Sequence, residues 1–394
     1  MTMVHRLVLR RVLDGLHPAF TKAFLPWIVR HPRYLRAVIR LARSFRSAER
    51  RRARHKAAGL KVPSVMILSV TSTCNLLCTG CYAAASRTAL QNGTDSVSNN
   101  RSGLDREQWR SVITEARELG VFGFVIAGGE PFLCEGIVEL CMEFDDVFFL
   151  IVTNGTSIQE SDFRRLERAS NIAIVVSLEG GLEATDSRRG IGVYAKAHKT
   201  LQRLWDIGVL TGISATITPQ NFEYWMDSRN LDRLIKRGVR IGVFIEYIPA
   251  PQPSFSSRQS ISPCADDGFM LKSEERERFR EYVLDYRESR PIILLHSPND
   301  EEYYGGCVSA GRGFIHVTPA GDVTACPVSN LATHNLQTAS LREGLGSPLF
   351  AEIRKNGHIL ETHDLPCALL SHYEEVLTLA RSVGAYNTET GETV

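Results

Sequence analysis

The sequence CNLLCTGCY occupies residues 74–82 and places three cysteines, Cys74, Cys78 and Cys81, on one short loop. The loop follows Val65–Val70, an apolar run rich in β-branched residues that predicts a strand. Three thiols therefore leave the end of a strand together. Thiolates are soft ligands that bind zinc, copper(I) and iron–sulfur clusters.

The number of nearby ligands favours one of these kinds of metal site over the others. A structural zinc site normally takes four Cys or His ligands. After the loop the next cysteine is Cys134, and no histidine occurs between His55 and His198. Three thiols without a local fourth ligand fit a [4Fe–4S] cluster whose last iron is open to another molecule.

The spacing C-x3-C-x2-C, with the aromatic Tyr82 directly after it, resembles the radical S-adenosylmethionine (SAM) enzymes. In that superfamily the open iron chelates the amino and carboxylate groups of SAM, and reduction cleaves SAM to a 5′-deoxyadenosyl radical. The resemblance implies that Cys74, Cys78 and Cys81 bind the SAM-cleaving cluster. A zinc loop is the alternative for cysteines at this spacing.

Downstream of the loop the chain alternates predicted strands and helices. Five more strands are predicted at Phe122–Ala127, Phe148–Thr153, Ile172–Leu178, Leu210–Ile217 and Val239–Tyr247. Helices are predicted from Asp105, with Gln108 completing a capping box, to Leu119, and at Ile137–Phe144, Glu160–Arg168, Val193–Ile207 and Phe222–Arg237. Repeated βαβ units predict a parallel sheet with chemistry at the carboxyl ends of its strands. Radical SAM enzymes have such a partial (β/α)6, TIM-like barrel, so we expect this α/β fold.

Glycines and polar residues follow the carboxyl ends of the second, third and fourth strands. Two glycines let the backbone approach a ligand closely, and a carboxylate beside them can accept hydrogen bonds from an ammonium group. By the resemblance, the residues expected around SAM are Tyr82, Gly128, Gly129, Glu130, Asn154, Ser177, Glu179 and Arg189.

The resemblance also implies individual roles for these residues. The glycine turn with Glu130 is expected to bind the SAM amino group. Alternation along the strand places Ser177 and Glu179 on one side, where family members use polar residues towards the ribose and methionine. Arg189, in the segment 186–192, is expected to pair with the methionine carboxylate. The sequence identifies no catalytic acid or base.

A second group of cysteines lies towards the carboxyl end. Phe314–Val317, a Pro-Ala-Gly-Asp turn and Val323–Ala325 predict a β-hairpin with Cys307 before it and Cys326 after it. With Cys367, this spacing resembles the auxiliary-cluster region of radical SAM proteins with SPASM or shortened twitch domains, which implies one auxiliary iron–sulfur cluster. Its fourth ligand stays undetermined: an open position, Cys264 or a non-cysteine group. A zinc clasp or a domain without a cluster is the alternative.

Two further cysteines, Cys134 and Cys141, are spaced to lie on one face of the helix after the glycine turn. Free cysteines are commonly buried as small apolar residues. We therefore predict that both belong to the core.

The amino-terminal segment is strongly basic. Residues 1–56 contain fifteen Lys and Arg against Asp14 and Glu49. Helices broken at Pro18, Pro26 and Pro32 are predicted over residues 1–58. One of them carries an apolar stripe made of Leu35, Val38, Ile39, Ala42 and Phe45, opposite Arg36, Arg40 and Arg43. Two interpretations stay open: a helix lying on an anionic membrane surface, or an extension packed on the catalytic domain.

Three regions are predicted: a basic helical extension at 1–58, the barrel at 59–250, and a linker, helix and auxiliary-cluster domain at 251–394. No apolar run approaches the ~18–20 residues of a membrane span, and residues 1–11 lack the features of a secretory signal. Nine cysteines grouped in loop motifs suit a reducing cytosol. We therefore predict a cytoplasmic protein, with peripheral membrane association if the arm binds lipid.

The expected function is hydrogen abstraction from a substrate C–H, followed by oxidative modification or cross-linking of a peptide or protein. The expected partners are SAM and a reductant such as flavodoxin or ferredoxin. The basic arm motivates a second hypothesis, the modification of a lipid or isoprenoid at the membrane. A non-catalytic iron–sulfur or electron-transfer protein is a third, although it gives the glycine turn no purpose. Nucleic-acid binding is not expected, because no basic surface interleaved with aromatic residues is present.

Overall fold

The computed structural model describes residues 18–84, 102–249, 268–361 and 366–394. These residues form two compact units. The first unit contains the described residues of 18–46, 137–246 and 271–297, and the second contains the rest. Cys264, one of the candidate ligands named above, lies outside the described residues, as does most of the Ser-, Asn- and Gly-rich segment Ala85–Gly103, for which the composition predicts a loop.

The helices and strands are numbered in chain order. The helices are α1 (Pro18–Arg30), α2 (Leu35–Ala57), α3 (Arg106–Leu119), α4 (Ile137–Met142), α5 (Glu160–Arg168), α6 (Leu182–Arg189), α7 (Val193–Asp206), α8 (Phe222–Met226), α9 (Ser228–Arg237), α10 (Ser273–Ser289), α11 (Leu341–Leu345), α12 (Pro348–Lys355), α13 (Ala368–Ser371) and α14 (Tyr373–Ser382). The strands are β1 (Val65–Thr71), β2 (Gly123–Gly128), β3 (Phe148–Thr153), β4 (Ile172–Ser177), β5 (Leu210–Ile217), β6 (Val239–Glu246), β7 (Ile293–Ser297), β8 (Phe314–Val317), β9 (Asp322–Thr324), β10 (Leu331–Asn335) and β11 (Tyr386–Asn387).

The first unit is built on five parallel strands in the order β3-β4-β5-β6-β7. All six residues of β4 are buried, as a strand covered on both faces requires. The predicted bounds of β3, β5 and α5 are confirmed. Because the strands are parallel, their carboxyl ends lie at one edge of this sheet.

The second unit has the strand order β11-β10-β9-β8-β1-β2. Strands β2 and β8 flank β1 in parallel, whereas β8 to β11 are antiparallel. The predicted hairpin is confirmed as β8 and β9, but its first strand also joins β1. The capping box at the start of α3 is confirmed: Asp105 accepts a hydrogen bond from the backbone N–H of Gln108, whose side chain accepts one from Asp105.

The amino-terminal arm packs on the first unit. Trp27 and Ile28 of α1 join a core cluster with Ala173, Val175 and Leu210 from the sheet. Two residues of the predicted apolar stripe, Leu35 and Val38, pack against the same cluster. The packed-extension interpretation accounts for these contacts.

The structure differs from the predicted elements in several places, and helix α6 is present although it was not predicted. Pro26 lies inside α1 rather than at a break. Cys134 ends a short 3-10 turn and so does not share helix α4 with Cys141, which is buried as predicted. The helix predicted at Phe222–Arg237 is two helices, because Asp227 accepts the backbone N–H of Arg229 and starts a new one. A seventh parallel strand, β7, extends the sheet beyond the six predicted.

Within the described part of the chain, none of the helices combines the length and the apolar character needed to cross a membrane.

Candidate functional site

The three-cysteine loop and the glycine turn adjoin in the second unit. The loop follows β1 and the turn follows β2, and these two strands pair in parallel. Their carboxyl ends therefore lie side by side. Cys74, Cys78 and Cys81 are each half-buried.

The glycine turn touches the chain that leaves β1. The N–H of Gly129 donates to the carbonyl of Thr71 at 2.7 Å, and the N–H of Glu130 donates to the carbonyl of Thr73 at 2.9 Å. A Cβ added to Gly129 would lie 2.1 Å from the oxygen of Thr73, and one added to Gly128 would lie 2.5 Å from that of Thr71. Gly128 also has φ of 117°. Only glycine fits at this approach, since both obstacles are backbone atoms.

Glu130 is buried, with 1% of its surface exposed. One carboxylate oxygen accepts the backbone N–H of Phe132 at 3.1 Å, which opens a short 3-10 turn, Pro131–Leu133. Tyr82, directly after the last loop cysteine, is 38% exposed. The structure thus brings together the loop cysteines and the turn ending in Glu130, as the sequence predicts.

A buried ionic group lies at the carboxyl end of β4 in the first unit. One oxygen of Glu179 accepts the Nη1 of Arg188 at 2.5 Å and the Nε of Arg189 at 2.7 Å. The other oxygen accepts the N–H of Thr216 at 3.0 Å. Glu179 is 1% exposed.

Two further predicted residues are held by polar contacts in the first unit. The hydroxyl of Ser177 lies 3.1 Å from that of Ser214 on β5. The side-chain oxygen of Asn154 accepts the N–H of Thr156 at 2.8 Å. Both Ser177 and Asn154 are buried. Ser214, Thr216 and Arg188 were not predicted: the first two lie within strand β5, and Arg188 lies on helix α6, which the sequence analysis missed.

The sequence analysis also missed a buried group at the carboxyl end of β6. Glu246 accepts the Nε of Arg276 at 2.6 Å and contacts the Nε2 of His296 at 3.3 Å. Burial by itself raises the pKa of Glu246, but the hydrogen bonds and charges of His296 and Arg276 outweigh it and hold the pKa below its usual range. Arg276 and His296 lie on α10 and β7, which the sequence analysis did not place. The position of Glu246 at the end of the sixth predicted strand was the available signal.

Backbone hydrogen bonds in the second unit join the segment of Cys307 to Leu360 and to the segment that ends at Cys326. The N–H of Cys307 donates to the carbonyl of Leu360 at 2.7 Å, and the N–H of Ala310 donates to that of Ala325 at 3.2 Å. Cys307, Cys326 and Cys367 are all buried. Burial, then nearby Glu301, raises the pKa of the Cys307 thiol to about 12. Burial, then Cys367, raises that of Cys326. A thiol binds metal in its deprotonated form, the thiolate. The positive charge of a bound metal favours that form and so overcomes the effect of burial on the pKa.

An open, mainly apolar cavity lies beside this cysteine group. Cys326 and Cys367 form part of its wall. The remaining lining residues include Ile248, Pro249, Leu331, Leu369, Tyr373 and Val376.

A buried polar chain connects β1 with the cysteine hairpin. The hydroxyl of Thr324 donates to the carbonyl of Cys326 at 3.1 Å. It therefore accepts from the Nδ1 of His316 at 2.8 Å, which leaves the Nε2 of His316 to accept the hydroxyl of Ser69 at 2.8 Å. Burial lowers the pKa of His316 to about 3, so its ring is neutral.

Among the residues the structure describes, no three Cys, His, Asp or Glu side chains converge closely enough to hold a single metal ion. An iron–sulfur cluster is bound through thiolates at separate iron atoms, so its ligands surround it instead of meeting at one point. Three half-buried thiols on the β1 loop, and three buried thiols beside a cavity, fit such clusters in the number and type of their donors.

A parallel α/β sheet with a three-cysteine loop and a glycine turn at neighbouring carboxyl ends defines a class of metal- and cofactor-dependent protein. Residues 68–239 match the family model of the Radical SAM superfamily. This region is therefore a radical SAM domain, the class of domain that uses a [4Fe–4S] cluster and SAM as cofactors.

Curated relatives extend the similarity beyond the matched domain. The sporulation killing factor maturation protein SkfB of Bacillus subtilis is 24% identical over 297 residues, covering 73% of this chain and 65% of SkfB. The PqqA peptide cyclase of Bradyrhizobium diazoefficiens is 25% identical over 293 residues, covering 69% of this chain and 68% of that protein. The chain thus spans about two thirds of the length of these relatives.

The solved structure of Streptococcus suis SuiB has a similar fold. It aligns with a TM-score of 0.59 at 19% identity, covering 82% of this chain and 73% of SuiB. The predicted fold class, a parallel sheet of the partial-barrel type with an antiparallel carboxyl-terminal region, is confirmed.

Proposed function

We propose that this chain is a radical SAM enzyme that oxidatively modifies or cross-links a peptide. The observation that carries the proposal is the three-cysteine loop after β1, held against the glycine turn after β2. When bound, the cluster and SAM supply a radical that abstracts hydrogen from an unactivated C–H.

The chain's own residues bind and orient these groups. Cys74, Cys78 and Cys81 would hold three irons of the cluster. Gly128 and Gly129 bring the backbone close, and Glu130 would accept hydrogen bonds from the SAM ammonium. The N–H of Phe132 fixes the carboxylate of Glu130 in place, which lowers the entropy lost on binding.

By the resemblance, Arg189 on α6 stays the residue predicted to pair with a methionine carboxylate. The carboxylate of Glu179 holds both guanidinium groups, those of Arg188 and Arg189, at the carboxyl end of β4.

The carboxyl-terminal cysteines Cys307, Cys326 and Cys367 would hold one auxiliary cluster. A second cluster beside the substrate favours oxidation, because it can accept an electron from the substrate radical. The apolar surface of the cavity next to Cys326 and Cys367 would contact an apolar part of the substrate. A flavodoxin or ferredoxin would supply electrons to the first cluster.

The names of the relatives support a peptide as the substrate. One is a peptide cyclase and another is a maturation protein. SuiB has also been solved bound to SAM and to its precursor peptide SuiA. No described helix spans a membrane, and the packed arm gives no specific support to a lipid substrate.

The cofactor assignment is tested by electron paramagnetic resonance of the anaerobically reconstituted and reduced protein. Addition of SAM should change the spectrum of the cluster, because SAM coordinates its open iron. The change should disappear when Cys74, Cys78 and Cys81 are replaced by Ala, and persist in Cys134→Ala, which removes a half-buried thiol outside the loop. A spectrum of the wild-type protein that SAM leaves unaltered contradicts the assignment.

The substrate class is tested by co-expression with a short peptide encoded beside the gene. Mass spectrometry should show a peptide that has lost hydrogen only when the three loop cysteines are intact. An unchanged peptide, together with altered lipids in the same cells, would replace the peptide proposal by the lipid alternative.

A further inference from the structure

We propose that Glu301 is the fourth ligand of the auxiliary cluster, an oxygen donor beside the thiolates of Cys307, Cys326 and Cys367. The proposal rests on the proposed function, since it presupposes that the auxiliary cluster binds. It replaces the open alternatives for that position with a named carboxylate.

The position of Glu301 follows from its turn. Glu301 lies in a 3-10 turn, Asn299–Tyr304, which directly precedes Cys307. The N–H of Gly306 donates to the carbonyl of Glu301 at 3.1 Å and closes the turn. The carboxylate accepts the N–H of Val308 and lies beside the thiol of Cys307. The chain thus folds the carboxylate back onto the cysteine.

The charges around this carboxylate favour a bound cation. Three buried thiols and one carboxylate provide four acidic donors in one region. The nearest arginine, Arg312, gives its donors to backbone carbonyls, with bonds of 2.5 Å to Cys307 and 2.6 Å to Tyr304. Anionic groups placed together away from water are costly unless a cation compensates them. An iron–sulfur cluster supplies that charge.

The donor count also fits. A [4Fe–4S] cluster commonly takes four protein ligands, and the described residues offer three cysteines at this site. Carboxylate oxygens are harder donors than thiolates, and iron binds both kinds. An oxygen-ligated iron is distinguishable from thiolate-ligated iron by Mössbauer spectroscopy, so the ligand can be identified without measuring activity.

The experiment uses the full chain with Cys74, Cys78 and Cys81 replaced by Ala, so that only the auxiliary site binds iron. In this background we compare Glu301→Ala and Glu301→Cys with Glu302→Ala, the exposed neighbour on the same turn, and with Cys264→Ala. The readouts are iron per chain, the paramagnetic signal of a [3Fe–4S] cluster after mild oxidation, and the Mössbauer spectrum.

We expect about four irons per chain in the parent and about three, with the [3Fe–4S] signal, in Glu301→Ala. Glu301→Cys should restore about four irons and remove the oxygen-ligated iron from the Mössbauer spectrum. Glu302→Ala and Cys264→Ala should match the parent. A circular dichroism spectrum equal to that of the parent excludes misfolding of Glu301→Ala.

Four irons and an unchanged Mössbauer spectrum in Glu301→Ala would overturn the proposal. A three-iron cluster in Cys264→Ala would assign the ligand to Cys264 instead. A parent that binds no iron would refute the auxiliary cluster itself, and this inference with it. That result would not affect the assignment of the SAM-binding cluster, because that assignment is tested in the protein with the intact cysteine loop.

Discussion

The two glycines after β2 determine how closely the turn can approach the loop that carries the cysteines. Hydrogen bonds from Gly129 and Glu130 to the carbonyls of Thr71 and Thr73 require backbone contact at this place. A side chain on either glycine would meet a backbone oxygen, which cannot move away as a flexible side chain can.

Gly129→Ala should therefore lower the free energy of unfolding by about 1–3 kcal/mol through overpacking. Because the cysteine loop would shift, iron bound at Cys74, Cys78 and Cys81 should fall as well. Urea unfolding and iron analysis check both effects. Gly357→Ala is the matched control, since nothing lies within 4 Å of the added Cβ. Equal stability and iron content in the two variants would contradict the close approach.

His316 should make the stability of the protein sensitive to acid. Its pKa is about 3 in the folded protein and about 6.5 in the unfolded chain, so between these values only the unfolded state binds the proton. Stability from this group is fully present above pH 6.5 and is lost as the pH falls towards 3, at up to about 1.4 kcal/mol per pH unit.

Urea unfolding of wild type and His316→Asn between pH 7 and pH 5 measures this contribution. The slope of the unfolding free energy against pH should be smaller in the variant by an amount that corresponds to about one proton. The contributions of the other titrating groups are the same in both proteins and cancel in the comparison. Identical slopes would show that His316 is protonated in the folded protein, against the polar chain from Ser69 to Thr324.

Sequence reasoning located polar residues at strand ends but could not choose their partners. Glu179 and Arg189 were predicted, and the structure joins them; Arg188 was missed although it contacts the same oxygen. Adjacent residues on a helix point in different directions by default. Glu179 lies outside helix α6, after β4, and both guanidinium groups reach the same oxygen of its carboxylate.

Helix α6 is held to the carboxyl end of β4 mainly by this ionic group. Glu179→Gln should destabilise the protein by about 3–5 kcal/mol, because two largely buried guanidinium groups lose their counter-charge. Thermal or urea unfolding checks the value. The control is Glu183→Gln, an exposed carboxylate on the same helix. A loss below about 0.5 kcal/mol, the size of an ordinary surface change, would contradict the role of Glu179.

Helix α1 contributes to the core of the first unit. Trp27, 7% exposed, stacks 4.5 Å from the ring of Tyr34 and packs against the sheet. Trp27→Ala should cost about 3–5 kcal/mol, whereas the exposed Arg36→Ala should change stability by less than about 0.5 kcal/mol. If urea unfolding shows the same stability for both variants, the arm does not pack as described.

The elements that sequence reasoning found and missed differ in their apolar pattern. Strands β3 and β5 were predicted with their observed bounds: β3 is a continuous apolar or β-branched run, and β5 contains two Ile and two Thr. Helix α6 was missed because Thr185 is its only buried residue, so it has no apolar stripe. Strand β7 was missed because it has five residues, includes the polar His296 and follows a helix whose pattern was weak.

At the level of the whole chain, the alternation of strands and helices was sufficient to predict the fold class. The same pattern could not show that β8 joins β1 in parallel, because that pairing connects segments about 250 residues apart. The proposed regions 1–58, 59–250 and 251–394 follow changes in composition along the chain. They serve as boundaries for truncation experiments.

The exposed arginines of α2 allow the other interpretation of the arm, binding to an anionic membrane surface, to be tested. Five of its arginines are exposed: Arg36, Arg43, Arg46, Arg50 and Arg54. Each cationic side chain near an anionic bilayer contributes on the order of 1 kcal/mol, and the attraction weakens as salt is added. Binding to anionic vesicles that is lost when these arginines become Gln would support a peripheral role. If the wild type and the Gln variant bind the vesicles equally, the membrane role of the arm is excluded and the packed-extension interpretation remains.

The most direct test of the account is the dithionite-dependent formation of 5′-deoxyadenosine from SAM by the anaerobically reconstituted protein. The wild type should form it, and so should the variant in which Cys307, Cys326 and Cys367 are replaced by Ala. The variant with Ala at Cys74, Cys78 and Cys81 should form none. Cleavage of SAM by that last variant at the wild-type rate would contradict the assignment of the cysteine loop.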